Sequence, residues 1–512
     1  MSLLSSRALR RWRSSGQAPR GVCFPRALAI SLLVAAPLAA QQPKQPPKQA
    51  LDRRVVPAGS KDPELKVPAW TKTTLANGAT LIVSERHSLP LVSVRLNFIG
   101  GANQYDPASK PGVATFTANQ MLEGTTRRTG DQISSDLQTI GVTLPAPSIS
   151  GESGVIELSA TKDKLAPALD IVADVIENPT FAPEALERYR ARTLIALTQN
   201  RDRTQGISAA VYPKVLYGLS HPYGRTMTET SAKAIMRDDI VAFHKTYFQP
   251  GHVIITVVGD VSADEAKQLF DKAFVNWKAG GSMPNFDYPA VPAPKQTTIY
   301  IVDKPGAASS TFAIGQVGPP RSSADYYAIR VMNQLLGGFF QSRLNHNIRE
   351  EKGYSYGVTS RFAFGRGPGP FRAGGDIMTA KNDSALIEFM KELKDIRGGR
   401  PPSDDELAQA KTSLVQSLPA SFESVAGLNA NIGSIYSQGL PEDYFQQFAK
   451  AINAVTREDF VRVAKQYIDP DKLAIVIVGD RAKIEAQLAA TKIAPIVRLD
   501  VNGDPIASSV TP

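Results

Sequence analysis

DDIVAFHKTYFQPGHVIITVVGD, residues 238–260, has a second version near the end of the chain, EDFVRVAKQYIDPDKLAIVIVGD, residues 458–480. The two stretches align without a gap, and Asp260 matches Asp480 at an offset of 220 residues. Each reads as a helix, a Tyr-x-x-Pro turn and a hydrophobic strand closed by Gly-Asp. Chance agreement over this length is unlikely, so the stretch predicts two homologous domains. Two unrelated α/β domains that share one motif are the alternative.

The segments around the repeat mix hairpin-like strands with helical patterns. ATLIVS follows an Asn77-Gly78 turn signal, and LVSVRLNFI, residues 91–99, reads as a second strand. We therefore predict an α+β fold of two homologous tandem domains, each a mostly antiparallel sheet with helices packed on one face. The expected divisions are an N-terminal domain at 69–282, a proline-rich linker at 283–296, a C-terminal domain at 297–492 and a tail at 493–512.

The first 40 residues differ in composition from the rest of the chain. They contain six arginines but no lysine and no acidic residue, and they end in an apolar run, residues 27–40. That run has the length of a signal-peptide core and is too short to span a bilayer comfortably. We expect residues 1–40 to be an export signal and residues 41–68, rich in Pro and Gln, to be an extended leader. A signal retained as an anchor is the alternative.

Removal of such a signal would change both charge and cysteine content. The formal net charge would fall from +10 to +4, which gives no reason to expect a nucleic-acid partner. The single cysteine, Cys23, would leave with the signal, so the mature chain would have no disulfide and no thiolate ligand. No later segment is long and apolar enough for a transmembrane helix. These features suit an exported protein of the bacterial periplasm.

A second stretch, GVATFTANQMLEGT at residues 112–125, has the form of a known motif. It resembles the segment G-[IL]-[AS]-H-F-L-E-H-M-L-F-K-G-T of the pitrilysin or insulinase-type metallopeptidases, the inverzincins. The agreeing positions are Gly112, Ala114, Phe116, Gly124 and Thr125. The resemblance covers roughly residues 70–490 and implies two α+β domains that form one half of a clamshell.

The same resemblance shows which chemical groups are missing. In that family two histidines four residues apart bind zinc, and a glutamate before the second histidine acts as base on the metal-bound water. Here Thr115 and Asn119 occupy the histidine positions, and Ala118 occupies the glutamate position. The family's third ligand, a later glutamate, aligns with Ala196. A hydroxyl and an amide are poor substitutes for these ligands, so we expect no zinc and no hydrolysis by this chain alone.

The histidines offer no evident substitute, since no two of them lie four residues apart on a predicted helix. They are His87, His221, His244, His252 and His346. His221 lies in SHPYGR, which resembles a recurrent loop of the family, and we expect a structural role. We expect His244 and His252 at the surface or in a turn, and His87 at a strand end.

The second half contains LNHNIREEKGYSYGV, residues 344–358. It resembles the segment in which active members of the family carry an Arg and a Tyr that help to hold the substrate backbone. Arg349 and Tyr356 have the same spacing of seven residues. Arginine offers a rigid set of donors, and a phenol can steady a carbonyl or a developing oxyanion. The alternative is that Arg349 pairs with Glu350 or Glu351 and that Tyr356 is a sheet aromatic.

The resemblance implies that zinc binding and substrate binding are distributed over two polypeptides. Some bacterial members are split between two similar polypeptides, of which one carries the zinc motif and the other keeps the Arg and Tyr. We therefore expect a non-catalytic subunit of a heteromeric zinc metallopeptidase, which binds peptide through its C-terminal domain. It would hold no cofactor itself, with zinc in a homologous partner subunit. The alternatives are a non-enzymatic scaffold or peptide-binding protein of the same fold and, with less support, an active zinc endopeptidase.

Overall fold

The computed structural model describes residues 65–511. The expected signal, Cys23 and most of the Pro/Gln-rich leader lie outside the described residues. Within residues 65–511, no helix combines the length and the hydrophobicity that a membrane crossing requires.

Two sheets organise the described part of the chain. The strands of the first sheet are β1 (Thr71–Thr74), β2 (Thr80–Glu85), β3 (Leu91–Ile99), β4 (Ser148–Ile149), β5 (Ser153–Thr161) and β6 (Val253–Gly259). The strands of the second sheet are β7 (Thr298–Asp303), β8 (Ser309–Val317), β9 (Ser355–Phe362), β10 (Pro370–Met378), β11 (Ala474–Gly479), β12 (Ile496–Leu499) and β13 (Pro505–Thr511).

Helices fill the segments between the strands. Those of the N-terminal half are α1 (Ala102–Tyr105), α2 (Val113–Gln120), α3 (Gly130–Thr139), α4 (Leu165–Glu177), α5 (Pro183–Arg201), α6 (Thr204–Tyr217), α7 (Glu229–Ala234), α8 (Arg237–Tyr247) and α9 (Ala263–Ala273). Those of the C-terminal half are α10 (Tyr326–Asn333), α11 (Arg343–Asn345), α12 (Asn382–Lys394), α13 (Asp404–Gln416), α14 (Val425–Ser437), α15 (Tyr444–Ala454), α16 (Arg457–Tyr467) and α17 (Arg481–Ala490).

Both sheets are mostly antiparallel, and five strands of each sheet have the same connectivity. The strand order is β1-β2-β6-β3-β5-β4 in the first sheet and β13-β12-β7-β11-β8-β10-β9 in the second. The parallel pairs are β2 with β6, β7 with β11 and β7 with β12, and the other pairs are antiparallel. Two such sheets, each with its helices, confirm the predicted α+β fold.

The two copies of the sequence repeat occupy equivalent places. β6 and β11, the repeated strands, each lie between one parallel and one antiparallel neighbour. Every residue of β6 is buried, as is typical of a strand covered on both faces. The helices before them start alike, because Asp239 accepts a hydrogen bond from Met236 N at 2.7 Å and Asp459 accepts one from Thr456 N at 3.2 Å. The matched aspartates therefore cap equivalent helices.

Each half contributes one helix to the sheet of the other half. α6 packs on β8 and β11 of the second sheet, where Ile207 and Val211 share a buried cluster with Val476. α14 packs on β3 and β6 of the first sheet, where Ile432 shares a buried cluster with Ile254. Each sheet therefore has its own helices on one face, as predicted, and an exchanged helix on the other face. The sequence did not predict this exchange.

The segments expected as linker and tail differ in structure. Residues 283–296 contain no helix or strand. Residues 496–511, expected to belong to a tail, instead form β12 and β13 and extend the second sheet, because β12 pairs in parallel with β7. The remaining domain limits stay predictions.

Candidate functional site

α2, which carries the motif positions, starts at a glycine with left-handed backbone geometry. Gly112 has φ of 113°, and a Cβ at this position would lie 2.6 Å from Met227 Cε. The Asp106 carboxylate accepts hydrogen bonds from Gly112 N at 2.6 Å and Ala114 N at 2.7 Å, so it satisfies the free amides of the helix start. Burial raises the pKa of Asp106 to about 6, although both hydrogen bonds oppose the increase.

Thr115, Ala118 and Asn119 lie on α2 where the resemblance expects two ligands and a base. Thr115 and Asn119 are half-buried and lie one turn apart, whereas Ala118 is fully buried. Asn119 Nδ2 donates a hydrogen bond to Thr115 O at 2.9 Å. The amide of Asn119 is therefore engaged within its own helix.

α5, which carries the fourth position, packs beside α2. The Phe116 ring meets the Tyr189 ring edge-on at a centroid distance of 4.9 Å, and Arg188 Nη2 lies 2.9 Å from Glu123 Oε2. Ala196 follows Tyr189 by seven residues, about two turns, so both residues lie on one side of α5. Ala196 is exposed. The two helices of the motif are therefore adjacent, as the resemblance implies.

The side chains at these four positions do not fit a zinc ion. Protein zinc sites use imidazole, thiolate and carboxylate ligands. The four residues supply one hydroxyl, one amide and two methyl groups. Among residues 65–511, no group of three or more His, Cys, Asp or Glu side chains is placed to hold a metal ion. The donor set therefore does not support activation of a zinc-bound water by this chain.

His221 and His252 are buried, whereas His244 is half-buried and lies within α8 rather than in a turn. His244 Nε2 donates to Ile176 O at 2.8 Å, and His252 Nδ1 donates to Tyr247 O at 3.1 Å. His252 ends a turn, as expected, but it is only 4% exposed and is therefore not a surface residue. Burial lowers the pKa of His221 and of His244, which favours their neutral forms. His221 Nδ1 accepts a hydrogen bond from Tyr223 N at 3.0 Å, so all three histidines have contacts that fit structural roles.

Arg349 lies in a π-helical turn, His346–Glu351, in the C-terminal half. Its Nε lies 3.0 Å from Glu350 Oε1, and its guanidinium carbon lies 4.7 Å from the centroid of the Phe340 ring. Arg349 therefore pairs with Glu350, as the alternative interpretation of the sequence predicts. Both partners of that ion pair are more than one-third exposed, and such surface pairs contribute at most about 1 kcal/mol.

Tyr356 projects into solvent from β9, the edge strand of the second sheet. Its side chain is 99% exposed and makes no ring contact with the described residues. The strand itself is fixed, because Asn345 Oδ1 accepts a hydrogen bond from Val358 N at 3.2 Å and Asn333 Nδ2 donates one to Ser360 O at 3.0 Å. A large aromatic side chain held in water by a rigid strand is typical of a binding residue.

A short reversal of the chain joins these two residues. Gly353 N donates to Arg349 O at 3.1 Å, and Tyr354 N donates to Ile348 O at 2.9 Å. β9 begins directly afterwards and carries Tyr356 as its second residue. The structure therefore brings Arg349 and Tyr356 to one end of the C-terminal half, while the four motif positions lie on α2 and α5 of the N-terminal half.

Sequence reasoning missed a cluster around Glu152 that joins the two halves. Glu152 Oε1 accepts hydrogen bonds from the hydroxyls of Tyr223 and Tyr288 and from Gly367 N at 3.0 Å. Glu152 Oε2 accepts one from Arg366 N at 2.7 Å. Burial, together with the carboxylate of Glu152, raises the pKa of both tyrosines. In the sequence, only the glycine- and proline-rich stretch around Arg366 indicates a loop at this place.

Two family models match the chain. The model described as "Insulinase (Peptidase family M16)" matches residues 81–214. The model described as "Peptidase M16 inactive domain" matches residues 234–414. Together they cover α2, α5 and the segment with Arg349 and Tyr356.

Individual relatives agree with these matches. The chain is 25% identical over 403 residues to an uncharacterized zinc protease from Rickettsia felis, with 77% of this chain and 93% of the relative covered. It is 23% identical over 408 residues to the non-peptidase homolog YmxG from Helicobacter pylori, with 79% and 92% covered. A crystal structure of a peptidase M16 inactive domain from Pseudomonas fluorescens superimposes with a TM-score of 0.74 at 26% identity, with 80% and 98% covered. The chain therefore belongs to the insulinase family of peptidases, M16, as a member that lacks the HxxEH zinc motif.

Proposed function

We propose that this chain is a non-catalytic subunit of a heteromeric zinc metallopeptidase and that it binds the peptide substrate through Arg349 and Tyr356. One observation carries the proposal. Tyr356 stands 99% exposed beside the Arg349 turn, whereas the zinc-motif positions of the same chain carry no metal donors. A C-terminal half that binds peptide can still contribute to catalysis if a second polypeptide supplies the zinc ion that this chain cannot hold.

The geometry around Arg349 suits recognition of a peptide backbone. The guanidinium lies over Phe340, whose side chain is 55% exposed, so one face of the cation is already partly shielded from water. Its remaining donors can reach a carbonyl or carboxylate once Glu350 moves away. The Tyr356 hydroxyl can add a second donor to the same peptide.

The partner in this proposal is a zinc-bearing homologous subunit in the same compartment. An export signal at residues 1–40 would place this chain in the bacterial periplasm, so the partner would have to be exported as well. The match to the M16 inactive domain and the similarity to a protein named as a non-peptidase homolog support a non-catalytic role. Zinc would be held by the partner, and this chain would hold no cofactor.

A non-enzymatic scaffold or peptide-binding protein of the same fold is the second candidate function. The contact between Arg349 and Glu350 favours it, because Arg349 already has an acidic partner in the absence of a peptide. The two candidates differ in what substitution of Arg349 or Tyr356 should change.

The deciding experiment mixes the purified chain with a zinc-bearing homologue from the same cell and measures peptide cleavage. We expect a complex and an increase in chelator-sensitive activity. Arg349→Ala and Tyr356→Ala should each reduce the assisted cleavage about tenfold, roughly 1.4 kcal/mol, without loss of the complex. Arg457→Ala is the matched control, since Arg457 of α16 is a similarly exposed arginine that pairs with Asp404 of α13.

The possible results separate the candidate functions. A complex whose activity is indifferent to both substitutions would support the scaffold. Absence of both a complex and any gain in activity would contradict the subunit proposal. Tyr356→Phe keeps the ring and removes the hydroxyl, so it shows which part of the side chain acts.

A further inference from the structure

A cleft of about 500 Å³ opens where the two halves meet. It lies between the loop around Glu152, one end of α6, the loop after β9 and the end of α14. Its apolar walls come from Pro213, Leu216, Tyr217, Pro222, Phe364 and Pro370. This volume and this lining are typical of a site for a small ligand, and such sites occur often at domain interfaces.

Two arginines in this cleft have no acidic partner among the described residues. Arg225 donates only to the carbonyls of Leu219 at 3.0 Å and Ser220 at 2.8 Å. Arg366 donates through Nε and Nη2 to Ser437 O, at 3.0 and 2.6 Å. The Nη1 group of each guanidinium makes no hydrogen bond to any residue from 65 to 511. The cleft therefore contains two cationic groups with donors to spare.

Glu152, the carboxylate in the lining, forms no direct ion pair with either cation. Its two oxygens already accept four hydrogen bonds, from two tyrosine hydroxyls and the amides of Arg366 and Gly367. Glu152 attracts Arg366 only at a distance beyond that of an ion pair. Burial lowers the pKa of Arg366, so its cation is partly desolvated, and a bound anion would relieve that cost.

From this arrangement we infer that the cleft binds an organic carboxylate with an aromatic or aliphatic body, held by Arg225 and Arg366. Guanidinium groups bind carboxylates through short, charge-assisted hydrogen bonds. The tyrosine, proline and leucine walls would cover the apolar body. Two sources share this chemistry: a free carboxylic acid and the C-terminal residue of a peptide. The site is separate from the surface formed by Arg349 and Tyr356.

A titration with paired probes tests the inference on the full chain. N-acetylphenylalanine and its amide differ in the carboxylate alone, and binding is followed by ligand-detected NMR and calorimetry. We expect saturable binding of the acid and at least about tenfold weaker binding of the amide. A capped tripeptide that ends in phenylalanine with a free carboxylate distinguishes the sources: tighter binding than the single residue identifies a peptide terminus.

Substitutions locate the binding. Arg225→Gln and Arg366→Gln should each weaken binding of the acid about tenfold, with the thermal unfolding midpoint measured in parallel. Arg86→Gln is the matched control, because Arg86 is a half-buried arginine that donates to the carbonyl of Phe422 outside the cleft. If Arg366→Gln unfolds the protein, the binding affinity of Arg225→Gln for the acid tests the inference by itself. Equal binding of acid and amide, absence of saturation, or equal effects of Arg86→Gln and the cleft variants would overturn the inference.

Discussion

Asn429 of α14 donates a hydrogen bond to the backbone carbonyl of Ser93 in β3 at 2.8 Å, across the boundary between the two halves. The same Nδ2 lies 3.2 Å from Thr256 O in β6, and Asn429 Oδ1 accepts from the Thr256 hydroxyl at 2.5 Å. Asn429 is fully buried. One polar side chain therefore fixes the position of the exchanged helix on the first sheet.

Asn429→Ala should lower the free energy of unfolding by about 3 kcal/mol, because it removes these bonds and leaves buried polar groups without partners. The measurement is urea denaturation of the variant and the parent chain. Asn431→Ala is the control on the same helix, since Asn431 bonds only to Ser421 within its own half. The loss for the control should be about 1 kcal/mol, and equal losses would contradict this role of Asn429.

From the partly buried Asp106 carboxylate we predict a specific dependence of the free energy of unfolding on pH. Its pKa of about 6 in the native state lies above the unfolded value, so the native state binds the proton more tightly between about pH 4 and 6. The stability from this group is fully present below pH 4 and is lost as the pH rises through 6.

Asp106→Asn should remove that component, which is on the order of 2 kcal/mol between pH 4 and pH 7. The test compares urea denaturation of the variant and the parent chain at several pH values. Asp238→Asn, at an exposed acid in the first turn of α8, is the control and should keep the parent profile. Parallel profiles for Asp106→Asn and the parent chain would show that Asp106 does not titrate in this range.

We predict that substitution of Gln120 in α2 by an apolar residue stabilises the protein. Its side chain is fully buried, and both its amide nitrogen and its amide oxygen lack hydrogen-bond partners within residues 65–511. Gln120→Met keeps the length and removes the unpaired polar atoms, so the free energy of unfolding should rise by about 1–2 kcal/mol. Gln104→Met should do the opposite, because Gln104 bonds to the Tyr288 hydroxyl and to Gly101 N. A loss of stability in Gln120→Met would mean that the amide has a partner.

Restoring the missing ligands tests the correspondence between the motif and the structure. Thr115→His, Asn119→His and Ala196→Glu together place two imidazoles and a carboxylate on the adjacent helices α2 and α5. The triple variant should compete with a zinc chelator, whereas the parent chain should not. A variant with Thr117→His instead of Thr115→His is the control, since Thr117 points into the core and donates to Val113 O. Equal zinc affinity of the two variants would show that the alignment is wrong.

The sequence predicted the α+β fold because hairpin-like strands alternate with helical patterns, and because the segment of helix, turn and hydrophobic strand occurs twice. It could not predict the exchange of α6 and α14, since the sequence of a largely apolar strand such as β6 does not show which half supplies the helix that covers it. The residue types at the four motif positions are enough to predict the absence of zinc ligands there, and the zinc content of the chain stays a prediction. The exposure of Tyr356 could not, because tyrosine is common both in cores and at binding surfaces. The role of Glu152 depends on four donors from distant segments, which leave no local pattern.

The zinc content of the purified full chain tests the central claim most directly. The chain is incubated with excess zinc, dialysed, and analysed by elemental mass spectrometry beside Asn119→Ala and the triple variant. The account predicts far less than one zinc ion per chain for both the parent chain and Asn119→Ala, and about one for the triple variant. About one tightly held zinc ion in the parent chain that disappears in Asn119→Ala would contradict it.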